Sequence, residues 1–139
     1  MTSGSRRLSV ATLASVTALF GTACIGDIFP PTQRIKAGYR LLQFESGQTY
    51  YLCKGSHCGG ETRAVLDGSV KQLGWSDKYL VLMMNGPAEA GWRVVDLTTD
   101  RVDGPLTDAA FEHLRTTRPE ITAINVRSVQ DAWKALGGS

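Results

Sequence analysis

The fold is decided by a short apolar run, Tyr79-Leu80-Val81-Leu82-Met83-Met84. Turn-forming residues bound this run on both sides, Ser76-Asp77-Lys78 before it and Asn85-Gly86-Pro87 after it. The run is too short for most helices. Because strand side chains alternate between two faces, an unbroken apolar strand is one with both faces covered. The sequence therefore predicts a central, doubly covered β-strand at residues 79–84.

Further strand-like segments lie on both sides of this run. They are rich in aromatic and aliphatic residues, and turns that contain glycine, serine or aspartate separate them. Asp67-Gly68 is typical of a tight hairpin turn, because both positions tolerate positive φ. We expect regular structure to begin near Ala37 and to form an antiparallel sheet of about five to six strands. The segments are 39–45, 48–53, 62–66, 69–75 and 92–97, and residues 101–103 follow the turn after the last of them.

The last third of the chain carries helix signals instead. Thr107 is a favourable N-cap, the apolar residues that follow it share one helical face, and Pro119 ends this helix. Ser128 opens a second helix as a capping-box variant with Asp131, followed by apolar residues spaced i, i+3, i+4 and i+7. Residues 121–125 fit either a strand or an extended linker. Strands first and helices last predict an α+β domain, with two short helices packed on one face of the sheet.

The first 23 residues have the pattern of a signal peptide. Arg6 and Arg7 form a basic region, residues 8–20 are uncharged and mostly apolar or small, and small residues precede Cys24. The uncharged run of 13 residues is shorter than the roughly 20 that span a bilayer. We therefore expect residues 1–23 to be removed, residues 24–36 to form a tether and residues 37–139 to form one domain.

The segment before Cys24 resembles a bacterial lipoprotein signal peptide, since Thr22 and Ala23 suit the small-residue positions of a lipobox. The resemblance implies that Cys24 is lipidated and that the protein contacts a membrane through this anchor. Ile25 in the following position lacks the aspartate of inner-membrane retention, which implies the periplasmic face of the outer membrane. An ordinary secretory cut after Ala23 is the alternative, giving a secreted or periplasmic protein, whereas a twin-arginine route is not favoured.

The charge balance argues against a nucleic-acid partner. The chain has 15 basic and 13 acidic residues, but Arg6 and Arg7 precede Cys24, so 13 of each remain. The remaining basic residues are scattered singly from Arg34 to Lys134, whereas nucleic-acid binding calls for a basic cluster.

Two cysteines remain once Cys24 is set aside. Cys53 and Cys58 most simply form one disulfide in an oxidising compartment. His57 lies between them, which raises the alternative of a metal site. A structural zinc site needs four ligands, and the only other histidine, His113, lies far along the chain. We therefore predict a disulfide and no metal or other cofactor.

Candidate contact residues lie on loops and at loop edges, where function concentrates. We interpret Trp75 and Trp133 as core residues, and Trp92 at the end of a loop as a candidate partner contact. The loops 85–91 and 54–60 add Asn85 and His57 as candidates. No phosphate loop, zinc motif or nucleophile elbow is present, and no small-molecule substrate is indicated. The carboxylates Asp96, Asp100 and Asp103 are interpreted as solvated turn residues rather than as an acid pair or a calcium cluster.

Three segments together resemble a family of small, uncharacterised bacterial lipoproteins. They are Val70 to Leu82, Trp92-Arg-Val-Val-Asp96 and Gly104 to Phe111. This resemblance implies a strand ending in tryptophan, an apolar strand and a helix after Gly-Pro, but no established activity. Tyr51-Leu-Cys53 is similar to an early strand of periplasmic lysozyme-inhibitor lipoproteins, which implies inhibition of a cell-wall hydrolase.

The leading functional hypothesis is a non-enzymatic envelope lipoprotein whose domain binds an envelope protein. One alternative is a periplasmic inhibitor or immunity protein that acts against a cell-wall hydrolase. Another is a small periplasmic hydrolase that uses His57 or His113 as its base.

Overall fold

The computed structural model describes residues 30–55, 58, 66, 68–86 and 90–139. The predicted signal peptide, Cys24, His57 and, except for Leu66, the predicted strand 62–66 lie outside these residues. The strands are β1 (Thr32–Arg34), β2 (Tyr39–Phe44), β3 (Thr49–Lys54), β4 (Ser69–Trp75), β5 (Tyr79–Asn85), β6 (Gly91–Asp96), β7 (Val102–Leu106) and β8 (Arg127–Ser128). The helices are α1 (Asp108–Thr117), α2 (Pro119–Thr122) and α3 (Val129–Ala135). These elements confirm the predicted α+β class.

The strands form two antiparallel sheets rather than the single sheet that the sequence predicts. One sheet has the order β1-β2-β3 and the other β7-β6-β5-β4-β8, so β5 is the middle strand of the larger sheet. Leu80, Val81 and Leu82 of β5 are each 0% exposed. The predicted central, doubly covered strand is therefore confirmed.

The alternating side chains of β5 enter two separate hydrophobic cores. Leu80, Leu82 and Met84 belong to the inter-sheet core, between the two sheets. Tyr79 and Val81 belong to the helix-side core on the other face of the larger sheet. The inter-sheet core also contains Tyr39, Leu41, Tyr50, Leu52, Val70, Leu73, Val95, Val129, Ala132 and Trp133. The helix-side core also contains Val94, Phe111, Ile121 and Ile124.

The sequence predicts that the helices pack on one face of the sheet. The two cores show instead that they pack on different faces. Phe111 of α1 and Ile121 of α2 pack in the helix-side core, whereas Trp133 of α3 packs in the inter-sheet core. The physical reason lies in the strand order, because α1 follows β7 and α3 follows β8, and these strands form opposite edges of the larger sheet. The two helices therefore start from different edges and cover different faces.

Regular structure begins earlier than the predicted Ala37. β1 pairs with β2, and Ile35 is 8% exposed in the inter-sheet core. Residues 32–36 therefore belong to the domain and not to the tether. Residues 121–125 are predicted to be a strand or an extended linker, but Ile121 and Thr122 belong to helix α2. Pro119 starts this helix, because the first turn needs no amide hydrogen at that position.

The predicted helix starts are confirmed. Thr107 Oγ1 accepts a hydrogen bond from the Ala110 amide at 3.1 Å, and Ser128 Oγ accepts one from the Asp131 amide at 3.2 Å. Arg93 is the buried charged residue of the described chain, at 2% exposure. It pairs in register with Leu82, which places it on the inter-sheet side, and it has an interaction partner.

Replacing Leu80 with alanine tests the double coverage of β5. We expect Leu80→Ala to lower the free energy of unfolding by about 2–5 kcal/mol, because it removes a fully buried side chain from the inter-sheet core. Leu136→Ala is the control, since Leu136 is only partly buried against the same core and its loss is smaller. Urea unfolding measures both, and equal losses would contradict the central position of Leu80.

Candidate functional site

The side chain of Trp92, a predicted partner contact, packs against residues of the domain itself. Its ring stacks on Phe111 with centroids 4.1 Å apart and planes 9° apart. Its Nε1 donates a hydrogen bond to Asp108 Oδ1 at 2.8 Å. Both the apolar ring and the single polar atom of Trp92 thus hold α1 on β6. We interpret Trp92 as a residue that seats this helix.

Asn85, a second predicted contact, is exposed at the end of β5 and borders a groove of about 540 Å³. We call this the polar groove. Among the described residues of its lining, only Val70 and Val129 are apolar and only Lys71 is charged. The lining residues are Gln48, Thr49, Ser69, Val70, Lys71, Gln72, Asn85, Ser128, Val129 and Gln130.

The polar groove exists because β8 is short. β8 pairs with β4 only at Gln72 and Leu73. Ser128 then leaves the strand, since its side chain caps α3. Within the described chain, residues 69–71 of β4 therefore have no strand on the side of β8, and they lie at the polar groove.

The exposed part of β4 is also irregular. The pairing of β4 with β5 shifts register between Val70 and Gln72, which leaves Lys71 in a bulge. Bulges and lysines on edge strands prevent uncontrolled pairing between sheets, and bulges are common beside binding sites. Sequence reasoning identified Asn85 but not the other groove residues, because separate elements bring them together.

Cys53 and Cys58 form a disulfide with their Cα atoms 5.6 Å apart, which is the pairing that the sequence predicts. Cys53 is fully buried at the end of β3. His57 lies outside the described residues, so its predicted contact role stays a prediction.

A cluster of Tyr39, Lys54 and Asp100 joins the two sheets at the end opposite the polar groove. Tyr39 Oη donates a hydrogen bond to Asp100 Oδ1 at 2.9 Å, and Lys54 Nζ lies 2.5 Å from Asp100 Oδ2. Lys54 Nζ also lies 5.0 Å from the centre of the Tyr39 ring. Burial raises the pKa of Tyr39 above its ordinary value, and the bond to Asp100 raises it further. The bond from Lys54 lowers the pKa of Asp100 below its ordinary value, with the Tyr39 bond as a second cause.

Two more lysines join elements at this same end. Lys36 pairs with Asp77, which ties the β1–β2 turn to the β4–β5 turn. Lys78 lies 3.2 Å from Glu120, which ties the β4–β5 turn to α2. We call three groups together the lysine clamps: the Tyr39–Lys54–Asp100 cluster, the Lys36–Asp77 pair and the Lys78–Glu120 pair.

Of the three carboxylates predicted as turn residues, Asp96 and Asp103 have local partners, whereas Asp100 binds Tyr39 and Lys54 of the other sheet. Asp96 Oδ1 accepts hydrogen bonds from the Thr98 and Thr99 amides at 2.8 and 3.2 Å, and the Thr98 bond is the main cause of its lowered pKa. Asp103 lies 3.1 Å from Arg101. Among the described residues, no three potential metal ligands lie together.

His113, the alternative catalytic base, is exposed on α1. It borders a cleft of about 340 Å³ between β7 and α1, which Leu106 and Leu114 also line. This cleft is separate from the polar groove, so the structure does not bring His113 and Asn85 into one site.

Asp100→Asn tests the electrostatic part of the lysine clamps. The folded-state pKa of Asp100 is lowered, so its ionised form contributes stability above the ordinary pKa, and this contribution is lost as pH falls through the folded pKa. We expect the variant to be less stable than the native chain at neutral pH and the difference to shrink as the pH falls below the ordinary carboxyl pKa. Asparagine tolerates the left-handed φ of 61° at this position.

Urea unfolding at several pH values measures this difference. Glu112→Gln is the control, because Glu112 pairs with the nearby Arg115 of its own helix α1 and, among the described residues, with no other cation. A stability difference for Asp100→Asn that does not change with pH would contradict the ion-pair assignment.

Comparison with known proteins gives no match from which the role of this site could be inferred. In the described part of the chain, every helix is too short or too polar to cross a bilayer. The chain matches no protein-family model, no curated protein and no solved structure.

Proposed function

We propose that the protein is a non-enzymatic envelope lipoprotein that binds an extended segment of another protein in the polar groove. The observation that carries this proposal is that, among the described residues, β4 has no strand neighbour on the β8 side at residues 69–71, which border the groove. An extended peptide can add to such an edge through main-chain hydrogen bonds, while neighbouring side chains supply specificity.

The side chains of the groove suit a polypeptide. Gln72, Asn85 and Gln130 each carry an amide group that can both donate and accept hydrogen bonds. These groups match the donors and acceptors of an extended main chain. Lys71 adds one positive charge, which favours a neutral or weakly acidic segment over a basic one.

The same lining argues against catalysis at this position. Serine, threonine and lysine act as nucleophiles or bases when a neighbouring base or a shifted pKa activates them, and histidine or a carboxylate commonly supplies that base. The described residues that line the polar groove include hydroxyl groups and Lys71 but no histidine, cysteine or carboxylate. The shifted pKa values of Tyr39 and Asp100 arise instead in the lysine clamps, which hold the two sheets together.

A lipid anchor at Cys24 would keep this groove near a membrane. β1 starts at Thr32, eight residues after Cys24. Such a length of chain spans at most about 28 Å when fully extended. We propose that the domain works within this distance of the envelope membrane, on the periplasmic side.

Photo-crosslinking in cells tests the polar groove. We expect a photoreactive residue in place of Gln130, which is exposed at the groove, to give a discrete adduct with one envelope protein. The matched position is Thr98, which is exposed in the β6–β7 turn at the opposite end of the domain, and we expect no adduct there. Adding Asn85→Arg to the Gln130 probe should remove the adduct by blocking the groove. An adduct of equal yield at both positions, or at neither, would contradict the proposal.

Mass spectrometry of the mature amino terminus tests the anchor separately. We expect Cys24 to begin the mature chain and to carry acyl groups, and Cys24→Ser to lose them together with membrane attachment. An unmodified thiol behind a cut after Ala23 would rule out lipidation without affecting the polar groove.

A further inference from the structure

The outer side of the three-stranded sheet carries basic and aromatic residues around a buried centre. Because Tyr39 and Leu41 of β2 face the inter-sheet core, the alternating residues Arg40, Leu42 and Phe44 face outward, and Leu42 between the other two is only 4% exposed. Arg34 pairs in register with Arg40, so it lies on the same side. We call this surface, formed by Arg34, Arg40, Phe44 and Tyr51, the basic sheet face.

The two arginines of this face lack a counter-charge. Arg34 and Arg40 lie directly opposite each other on neighbouring strands, where like charges repel. Within the described chain, neither forms an ion pair or a side-chain hydrogen bond. The lysine clamps differ in this respect, since each of their lysines has a carboxylate partner. An external anion between the two guanidinium groups would therefore stabilise this pair.

The space beside these arginines can receive an anion. A cavity of about 420 Å³ lies at the β1–β2 turn, and the charged residues in the described part of its lining are Arg34, Lys36 and Arg40. Guanidinium groups bind phosphate oxygens in a bidentate manner, which makes arginine well suited to phosphate. The chemistry of this end of the basic sheet face therefore matches a phosphate group.

The other end of the basic sheet face is aromatic. Phe44 is 41% exposed, which makes it the exposed large hydrophobic residue of the described chain. Its ring contacts Tyr51 edge to face, with centroids 5.5 Å apart. Aromatic residues next to basic ones are typical of protein surfaces at the membrane interface, where rings enter the headgroup region and cations meet anionic lipids.

On the proposed lipidation of Cys24, the position of this face in the chain also favours a membrane contact. The face includes β1, the described strand nearest to Cys24 in the chain. We infer that the basic sheet face docks on anionic phospholipid headgroups and fixes the orientation of the domain at the membrane surface. This role is independent of the partner in the polar groove.

Vesicle binding tests the inference without the lipid anchor. The probe is the chain from residue 24 onward with Cys24→Ser, a choice that rests on the proposed removal of residues 1–23. We expect it to sediment with vesicles that contain phosphatidylglycerol, to bind poorly to pure phosphatidylcholine and to be released by salt. Binding to both vesicle types alike would overturn the role of lipid charge.

A double variant identifies the surface. We expect Arg34→Gln with Arg40→Gln to weaken binding to phosphatidylglycerol vesicles about thirtyfold, or roughly fivefold for each residue. The matched control, Arg118→Gln with Lys134→Gln, removes the same charge from exposed positions on other elements and should leave binding unchanged. Circular dichroism confirms that both variants fold.

Three results would overturn the inference. Equal weakening by both double variants would show attraction by net charge alone. Release of the protein by inorganic phosphate at constant ionic strength would show a site for a soluble anion rather than a membrane contact. A third result combines the two experiments. If Cys24 is acylated in the native protein but the Cys24→Ser chain does not bind vesicles, the lipid anchor alone attaches the protein and the basic sheet face has no role.

Discussion

Burial of both faces of β5 is the constraint on which the rest of the structure depends. Each fully buried aliphatic side chain contributes about 1.5–3 kcal/mol relative to an exposed one, so neither face of this strand can be left in water. Leu80 and Leu82 require a cover on one side, and the three-stranded sheet with α3 supplies it. Val81 requires another on the opposite side, which α1 and α2 supply. The three layers of the domain follow from this need.

The local features of the fold could be predicted from the sequence, and its arrangement in space could not. The class, the central strand and the caps at Thr107 and Ser128 depend on residues close together in the chain. The division into two sheets and the placing of α1 and α3 on opposite faces depend on which strand edges the helices follow. An apolar pattern shows that a face is covered, but it does not identify the covering element. The sequence does not separate residues 32–36 from the tether, because a three-residue strand carries too weak a pattern.

The candidate sites show the same limit. Asn85 could be identified from its place at the start of a loop, but Gln48, Gln72 and Gln130 are ordinary polar residues until the fold joins them in the polar groove. Tyr39 and Asp100 are 61 residues apart, so no local spacing predicts their contact. Trp92 was correctly placed near a loop edge, yet its stacking on Phe111 depends on how α1 returns to the sheet.

The lysine clamps and the polar groove lie at opposite ends of the same strands, and this makes the domain uneven in local stability. Lys36, Lys54 and Lys78 each tie separate elements together at one end. At the other end, the first residues of β4 have a strand neighbour on one side only among the described residues. Backbone amides at that end should exchange with solvent through local fraying, while those near the clamps exchange only through larger openings. The domain can therefore loosen at the proposed binding groove without loosening the core that holds it together.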